Sequence, residues 1–266
     1  MGPAMPDRSR GVASRRVSVI RWELRTRRPY PAWAGILATD RLRHLVVSGL
    51  DESTDPEDFL LTGHGAGPLT EHRFGYHAHA HWLWIEDDEH HVVGLALWCR
   101  PGLAAPQRDR VLSVRRLSRP DFNDAGFRPG DLSISGVGSA ADALPELGSG
   151  LVSTAWASAV PYLLTLHTKR SRQWEDVVAQ DVQRYLDHYY GVGAVRLITL
   201  QFGRAASNYR TSRWDPADSP SEAVWIERME VDVPLTGPVC LGRHSHFGFG
   251  RFVPLADGLV TDPSLP

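Results

Sequence analysis

Cysteine and lysine are nearly absent from this chain, and it has no long hydrophobic run. The only two cysteines, Cys99 and Cys240, lie in apolar segments typical of strands, so we expect buried thiols in a reducing compartment and no disulfide framework or zinc knuckle. No apolar stretch approaches the ~18 residues that a membrane span needs. The arginines near the amino terminus are not followed by the apolar region of a signal peptide. These features predict a cytoplasmic protein with no membrane partner.

The basic residues are almost all arginine, because Lys169 is the only lysine. This bias, together with frequent alanine, glycine and proline, is typical of a GC-rich genome, so the number of arginines is not in itself a sign of phosphate binding. The 29 basic residues are balanced by 31 acidic ones, and the formal net charge is −2. An indiscriminate polyanion binder is therefore excluded. A nucleic-acid partner would require basic residues that are gathered on one surface.

The order of predicted elements indicates an α+β protein with two similar units. After a polar tail at 1–16, predicted to be mobile, segments typical of strand, helix, strand, strand, helix and strand lie at 17–24, 31–50, 77–86, 91–100, 105–118 and 131–138. After a linker at 139–150, the pattern strand, helix, strand, strand recurs at 156–165, 173–190, 194–202 and 223–233. The order strand, helix, strand, strand, helix, strand is the ferredoxin-like one, and the second unit repeats its first four elements. The sequence thus predicts tandem ferredoxin-like (RRM-like) domains at 17–140 and 150–266.

A segment near the carboxyl end, GPVCLGRHSHFGFGRF at 237–252, combines glycine, cationic and aromatic residues. Glycine lets the backbone approach a ligand, and consecutive N–H groups form a concavity suited to phosphate. Arginine and histidine add cationic donors, while phenylalanine offers faces on which bases can stack. The predicted RNA contacts are Gly242, Arg243, His244, His246, Phe247, Gly248, Phe249, Gly250 and Arg251. The alternative is a glycine-rich hairpin with two core phenylalanines.

Three alternating histidines, His77, His79 and His81, begin the second long predicted strand, so their side chains leave the same face. We expect the opposite face, with Trp82 and Trp84, to lie under the helices and the histidine end to lie at an open sheet surface. One hypothesis is a zinc site, although no carboxylate or cysteine ligand follows at a diagnostic spacing. A second is a structural role in hydrogen bonding. A third is general acid–base catalysis, which needs neither metal nor cofactor when the 2′-OH of RNA is the nucleophile.

Three segments in this order resemble the CRISPR-associated RAMP superfamily. They are GHGAGPLTEHRFGYHAHAHWLW at 63–84, TAWASAVPYLLTLHTKR at 154–170 and the glycine segment. The resemblance covers roughly residues 60–255. Within the superfamily, the chain is most similar to the repeat-processing half of the fused type I-G subunit. Fused members carry a further amino-terminal half that this chain is too short to hold, so we expect a stand-alone processing subunit or a second protein that binds the guide's 5′ handle.

The resemblance implies tandem ferredoxin-like folds and a metal-independent endoribonuclease that cleaves precursor CRISPR RNA within the repeat. It also implies that other subunits of a type I effector complex are partners. Carried over by position, it implies acid–base roles for His77 and His79, with His81 as a third candidate, and a phosphate clamp at Lys169 and Arg170. The alternative is a non-catalytic subunit that holds guide RNA, because members of the superfamily lose catalysis while they keep the glycine loop.

Two further histidines are secondary candidates. His44, on the first predicted helix, corresponds to a catalytic position in some relatives, although a surface or satisfied core position fits it as well. His64 lies in the glycine-rich loop that precedes the histidine strand.

Overall fold

A computed structural model describes residues 16–50, 55, 57–63, 79–119, 126–166, 173–206, 209–210 and 223–260. Within these ranges the strands are β1 (Val17–Thr26), β2 (Tyr30–Pro31), β3 (His81–Glu86), β4 (His91–Leu103), β5 (Arg116–Leu117), β6 (Gly130–Gly138), β7 (Val152–Ser158), β8 (Tyr162–Leu163), β9 (Leu197–Ala205), β10 (Ala223–Thr236), β11 (Val239–Cys240) and β12 (Arg251–Pro254). The helices are α1 (Gly35–Val47), α2 (Phe59–Thr62), α3 (Ala105–Ser113), α4 (Ala140–Ala143) and α5 (Trp174–Tyr190). Among these helices none is long and apolar enough to cross a bilayer.

The first sheet has the strand order β3-β4-β1-β6, and all of these pairings are antiparallel. Helix α1 lies between β1 and β3 in the chain, and α3 lies between β4 and β6. Numbered along the chain, the four long strands stand in the order 2-3-1-4, as in a ferredoxin-like βαββαβ unit. The short strands β2 and β5 extend this sheet by pairing with β4 and β6.

The second sheet repeats this topology with the strand order β9-β10-β7-β12, again antiparallel throughout. Helix α5 connects β7 to β9, but the connection from β10 to β12 contains β11 and a 3-10 turn at Ser245–Phe247 where a second helix would stand. The predicted fold class, α+β with tandem ferredoxin-like units, is confirmed. The domain boundaries at 140 and 150 stay a prediction.

Two predicted elements differ from the structure for local reasons. The helix predicted from residue 31 begins as a 3-10 turn at Ala32–Ala34 and continues as α1 from Gly35. Pro31 itself is extended, because it pairs in β2 with His91 of β4. The strand predicted at 156–165 is divided into β7 and β8. Pro161 stands between these two strands, where a missing backbone N–H would interrupt a ladder.

One large hydrophobic cluster spans both halves. Trp82 and Trp84 of β3 pack in a cluster with α1, and this cluster also contains Leu163 and Phe249 of the second half. The prediction that the tryptophan face lies under a helix therefore holds in the structure. The prediction that the opposite face is open is wrong, because Leu83 on that face is fully buried against residues around α4 and against β11.

Both cysteines are buried free thiols. Burial raises the pKa of Cys99 and of Cys240 from 9.0 to about 12. Neither thiol is therefore activated as a nucleophile, in agreement with the expectation from sequence.

Candidate functional site

A cluster of three imidazoles lies where the two halves meet. The ring of His246 stacks on that of His79, with 3.6 Å between centroids and 24° between planes, and its centroid is 4.0 Å from that of His81. His81 begins β3 in the first half and His79 lies two residues before it, whereas His246 belongs to the 3-10 turn of the second half. The structure thus brings two predicted catalytic histidines together with one predicted RNA contact. The third predicted catalytic residue, His77, lies outside the described residues.

The turn that carries His246 is held in place by a contact with the first half. It begins after His244, whose φ of 59° is unusual for a residue other than glycine. On the side of the first half, the buried hydroxyl of Thr39 in α1 donates a hydrogen bond to the carbonyl of Phe247 over 2.8 Å. Helix α1 therefore positions the turn, and with it the imidazole.

Both ring nitrogens of His246 have a partner. Nδ1 is 3.3 Å from the carbonyl oxygen of Ala80, and Nε2 is 3.3 Å from the hydroxyl of Tyr189 in α5. Because a carbonyl can only accept, Nδ1 carries a hydrogen in this arrangement, and Nε2 of the neutral ring accepts from the phenol. The orientation and the tautomer of this imidazole are thus set by one group from each half.

Tyr189 connects the cluster. Its hydroxyl is also 3.3 Å from His81 Nε2 and 3.3 Å from the hydroxyl of Ser245. Burial raises the pKa of the Tyr189 hydroxyl, so at neutral pH it remains protonated and acts as a fixed hydrogen-bonding group. The sequence analysis missed this residue, because its place among the apolar positions of α5 indicated only core packing.

His81 is buried, with 3% of its surface exposed, and not on an open sheet as predicted. The second half covers it, and its ring lies 4.9 Å from that of Trp98. It lines a cavity of about 310 Å³ together with Trp98, Arg100 and Tyr190. Arg100 is exposed and its guanidinium lies 6.0 Å from the ring centroid of Tyr190. The described lining of this cavity offers aromatic faces and the guanidinium of Arg100.

The predicted RNA contacts of the glycine segment divide into two groups by exposure. Those with accessible side chains are Arg243, His244, His246 and Phe247. The buried ones are Gly242, Gly248, Phe249, Gly250 and Arg251. Lys169 and Arg170, the predicted phosphate clamp, lie outside the described residues.

Phe249 and Arg251 stabilise the contact between the two halves, and their burial leaves them no surface for RNA. The ring of Phe249 is fully buried and meets Trp84 edge-on at 5.3 Å. Arg251 donates a hydrogen bond to the carbonyl of Trp84, and its guanidinium lies 3.8 Å from Glu86. Burial lowers the pKa of Arg251, and the nearby Glu86 opposes this. The alternative of core phenylalanines in a glycine-rich segment is therefore correct for Phe249.

Phe247 forms an accessible patch together with helix α1. Its ring is half-buried, and the guanidinium of Arg43 lies 5.9 Å from its centroid. His44, the next residue of α1, is exposed. Sequence analysis did not single out Arg43, although its position four residues after Thr39 places both on the same side of α1. A cation, an imidazole and an aromatic face are thus available beside the histidine cluster.

Metal ligation has no matching arrangement in the described part of the chain, where no group of three or more His, Cys, Asp or Glu side chains is placed to hold an ion. In the histidine cluster, the stacked rings of His79 and His246 present their faces to one another. Zinc ligands instead direct ring nitrogens at one point.

No protein-family model and no curated protein matches this chain. Among solved structures, a Cas6 product complex aligns with a TM-score of 0.47 and 12% identity over 90% of this chain and 100% of that one. A structure described for a Cas6-related gene from Pyrococcus furiosus aligns with a TM-score of 0.48 and 8% identity, over 91% of this chain and 99% of that one. Cas6b aligns with a TM-score of 0.46 and 10% identity, over 90% and 99%. Alignments at this level assign neither a family nor an activity to the chain.

Proposed function

We propose that this chain is a metal-independent endoribonuclease that binds CRISPR repeat RNA and cleaves precursor CRISPR RNA by attack of a 2′-OH. The observation that carries the proposal is the stacking of His79 on His246, with His81 in contact, at the junction of two ferredoxin-like units. The repeat as substrate rests on the resemblance of the three sequence segments to the RAMP superfamily.

The stacked imidazoles suit acid–base chemistry. Two positive charges at a spacing of 3.6 Å repel strongly, so the stacked pair is expected to carry one positive charge in place of two. A neutral and a protonated imidazole side by side can accept the proton of the 2′-OH and supply a proton to the 5′-oxygen that leaves. The cluster can therefore provide a base and an acid without a metal.

His79 is the member of the cluster that we assign to proton transfer with the substrate, and His77, its partner in the acid–base pair predicted from the sequence, is the second group, so that one accepts the proton of the 2′-OH and the other supplies a proton to the 5′-oxygen. His79 is half-buried, whereas His81 is almost fully covered and both nitrogens of His246 are engaged by Ala80 and Tyr189. In this assignment His81 and His246 orient and polarise their neighbour. His44 is the alternative proton-transfer group, since it is exposed on α1 beside Arg43.

The accessible patch supplies binding and charge stabilisation. Phe247 offers a ring on which a base can stack, and Arg43 holds a guanidinium near that ring. Arg243, exposed in the same segment, is a second cation for the phosphate. A cation near the scissile phosphate would stabilise the negative charge that develops when the 2′-oxygen attacks.

The test is a cleavage assay with the cognate repeat RNA in excess EDTA. We expect one specific cut, and we expect a single 2′-deoxy substitution at the cut site to abolish it while binding is retained. His79→Ala should lower the rate by roughly 10²–10⁴-fold. A matched control is His90→Ala, because His90 is exposed in the turn before β4 and far along the strand from the cluster.

Cleavage of the deoxy substrate, or an absolute need for a divalent ion, would contradict this mechanism. If His79→Ala left the cleavage rate unchanged and His44→Ala abolished cleavage, the proton-transfer group would be His44 on α1 and not His79.

A second candidate function is a non-catalytic subunit that holds guide RNA in an effector complex. The near-complete burial of His81 favours it, because a group with 3% exposure has little access to a substrate. Tight, specific binding of repeat RNA without any cut, in the wild-type chain, would establish this second function in place of the first.

A further inference from the structure

A second cavity, of about 570 Å³, lies at the end of the first sheet that is remote from the histidine cluster. Its lining contains the arginines Arg25, Arg27, Arg28, Arg116, Arg119 and Arg128. Asp131 is the only carboxylate among the described residues that line it. We refer to it as the arginine cavity.

Strand pairing brings these arginines together from separate parts of the chain. At the end of β1, Arg25 is the register partner of Asp131 in β6. On its other side, Asp131 is the register partner of Arg116 in β5. The turn after β1 adds Arg27 and Arg28. The concentration of positive charge is therefore built by the sheet and does not follow from the arginine content of the sequence.

Part of this charge is not neutralised within the described residues. Arg25 pairs with Glu23 over 2.9 Å and Arg116 with Asp131 over 3.7 Å, and both pairs are well exposed. Arg27, Arg28 and Arg119 are exposed and form no ion pair with any residue that the structure describes. Several like charges around one concavity attract a ligand that carries several negative charges.

We propose that the arginine cavity binds consecutive phosphates of a single-stranded nucleic acid. Guanidinium groups match phosphate in a bidentate geometry, and Arg27, Arg28 and Arg119 line one concavity without an ion pair to any described residue. The cavity is also much larger than one phosphate group. The choice of a nucleic acid over an acidic peptide rests on the proposed RNA function, but it does not depend on cleavage.

The lining also determines what the cavity can recognise. Among the described residues of the lining, the aromatic ring is that of Phe127, which is 4% exposed and packs edge-on against Tyr30, so it offers no face on which a base can stack. Binding should therefore involve the backbone and be independent of base sequence. Strand pairing places the histidine cluster level with Val19 of β1, because Val19 is the register partner of Trp98 and Trp98 is that of His81. Arg25 lies six residues further along β1 at ~3.3 Å each, so the cavity is about 20 Å from the cluster along this strand. One strand of several nucleotides could thus span both places.

The test is fluorescence anisotropy with a labelled oligodeoxythymidine, which lacks the 2′-OH and cannot be cut by the proposed mechanism. The variant is Arg27→Ala/Arg28→Ala/Arg119→Ala. The control, Arg108→Ala/Arg196→Ala/Arg228→Ala, removes the same charge from arginines that pair with Asp109, Asp232 and Glu230 elsewhere on the chain. We expect the variant to bind the probe about 10- to 100-fold more weakly. The slope of log K against log salt concentration should become less steep by about 2, because each lost phosphate contact contributes ~0.7. The control should differ little from wild type.

Several outcomes would overturn the proposal. The first is an unchanged affinity in the triple variant, and the second is an equal loss in the control, which would indicate a net-charge effect. Displacement of the probe by polyglutamate at equal charge concentration would assign the cavity to an acidic protein partner. Displacement by inorganic pyrophosphate at equal charge concentration would assign it to a small phosphorylated ligand.

Two further measurements keep the outcome clear. Arg28→Glu should weaken binding more than Arg28→Ala, with unchanged thermal unfolding of both, and equal binding by the two would count against the cavity. The second measurement is cleavage of the repeat RNA by the wild-type chain, made alongside its binding of the deoxy probe. Failure of RNA cleavage would refute the proposed catalytic function while this binding remained, and loss of the binding alone would refute the arginine cavity.

Discussion

Replacement of Gly248 by alanine should destabilise the fold and displace the turn that carries His246. Gly248 ends this turn with φ of 102°, and a Cβ at this position would lie 2.4 Å from Cε3 and 2.5 Å from Cζ3 of Trp84. The left-handed backbone costs a residue with a Cβ about 1–2 kcal/mol. Overpacking against a buried ring that cannot move freely adds about 1–3 kcal/mol. We therefore expect the free energy of unfolding to fall by about 2–5 kcal/mol.

The control for this experiment is Gly49→Ala. Gly49 follows α1 with φ of 83°, and a Cβ there would meet no atom within 4 Å. It therefore carries the backbone cost of about 1–2 kcal/mol without the steric one. Both substitutions reduce the entropy of the unfolded chain similarly, so this contribution cancels in the comparison. Urea unfolding of the two variants measures the difference, which reports the packing of the turn on Trp84.

The same two variants connect packing to activity. Because Gly248 follows directly on the turn of His246, a shift of the turn away from Trp84 should also disturb the stacking on His79. Repeat-RNA cleavage should fall in Gly248→Ala and remain near wild type in Gly49→Ala. The reasoning is refuted if Gly248→Ala costs no more stability than Gly49→Ala.

Three more predictions concern the contacts around the site. Tyr189→Phe should lower the free energy of unfolding by about 1–3 kcal/mol and reduce cleavage, because the buried polar partners of the hydroxyl lose a hydrogen bond. Unchanged stability and unchanged cleavage would contradict the connecting role of Tyr189. Arg251→Met should lower the free energy of unfolding in urea by about 2–4 kcal/mol, because Glu86 loses its buried cation. Adding Glu86→Gln to this variant should restore part of the lost stability, and no recovery would show that the two residues are not coupled. Since the pKa of Cys99 and of Cys240 is about 12 in the folded state against 9.0, the unfolded chain loses these protons first and stability should fall as pH rises above 9. The loss should be about 1 kcal/mol per thiol at pH 10, and the double alanine variant should show a flatter dependence than wild type between pH 8 and 10.

The fold was predictable from sequence because its signals are local. Alternating and β-branched residues marked the long strands, and the order of strands and helices then defined both units. The errors in the predicted elements also had local physical causes that are hard to weigh from sequence, such as the pairing that keeps Pro31 extended and outside the helix predicted to begin there.

The arrangement of the site was predictable only in part, because it depends on contacts between distant segments. The alternation in β3 correctly placed the imidazole of His81 on the face opposite the tryptophans, but no local signal shows that the second half covers this face. The glycine segment likewise does not reveal that Phe249 and Arg251 point into the shared core. Tyr189 was missed for the complementary reason, since its apolar helical position conceals a hydroxyl at the centre of the cluster.

The composition of the cluster implies that docking of the two halves and assembly of the site are one event. His246 acquires its stacking partner, its Ala80 acceptor and the support of Thr39 from the first half, and its Tyr189 donor from the second. A chain in which the halves separate would keep both sheets but lose this orientation of the imidazole. The buried contacts between the halves therefore act on the chemistry although they touch no substrate, and their free energy sets the fraction of molecules in which the proposed site exists.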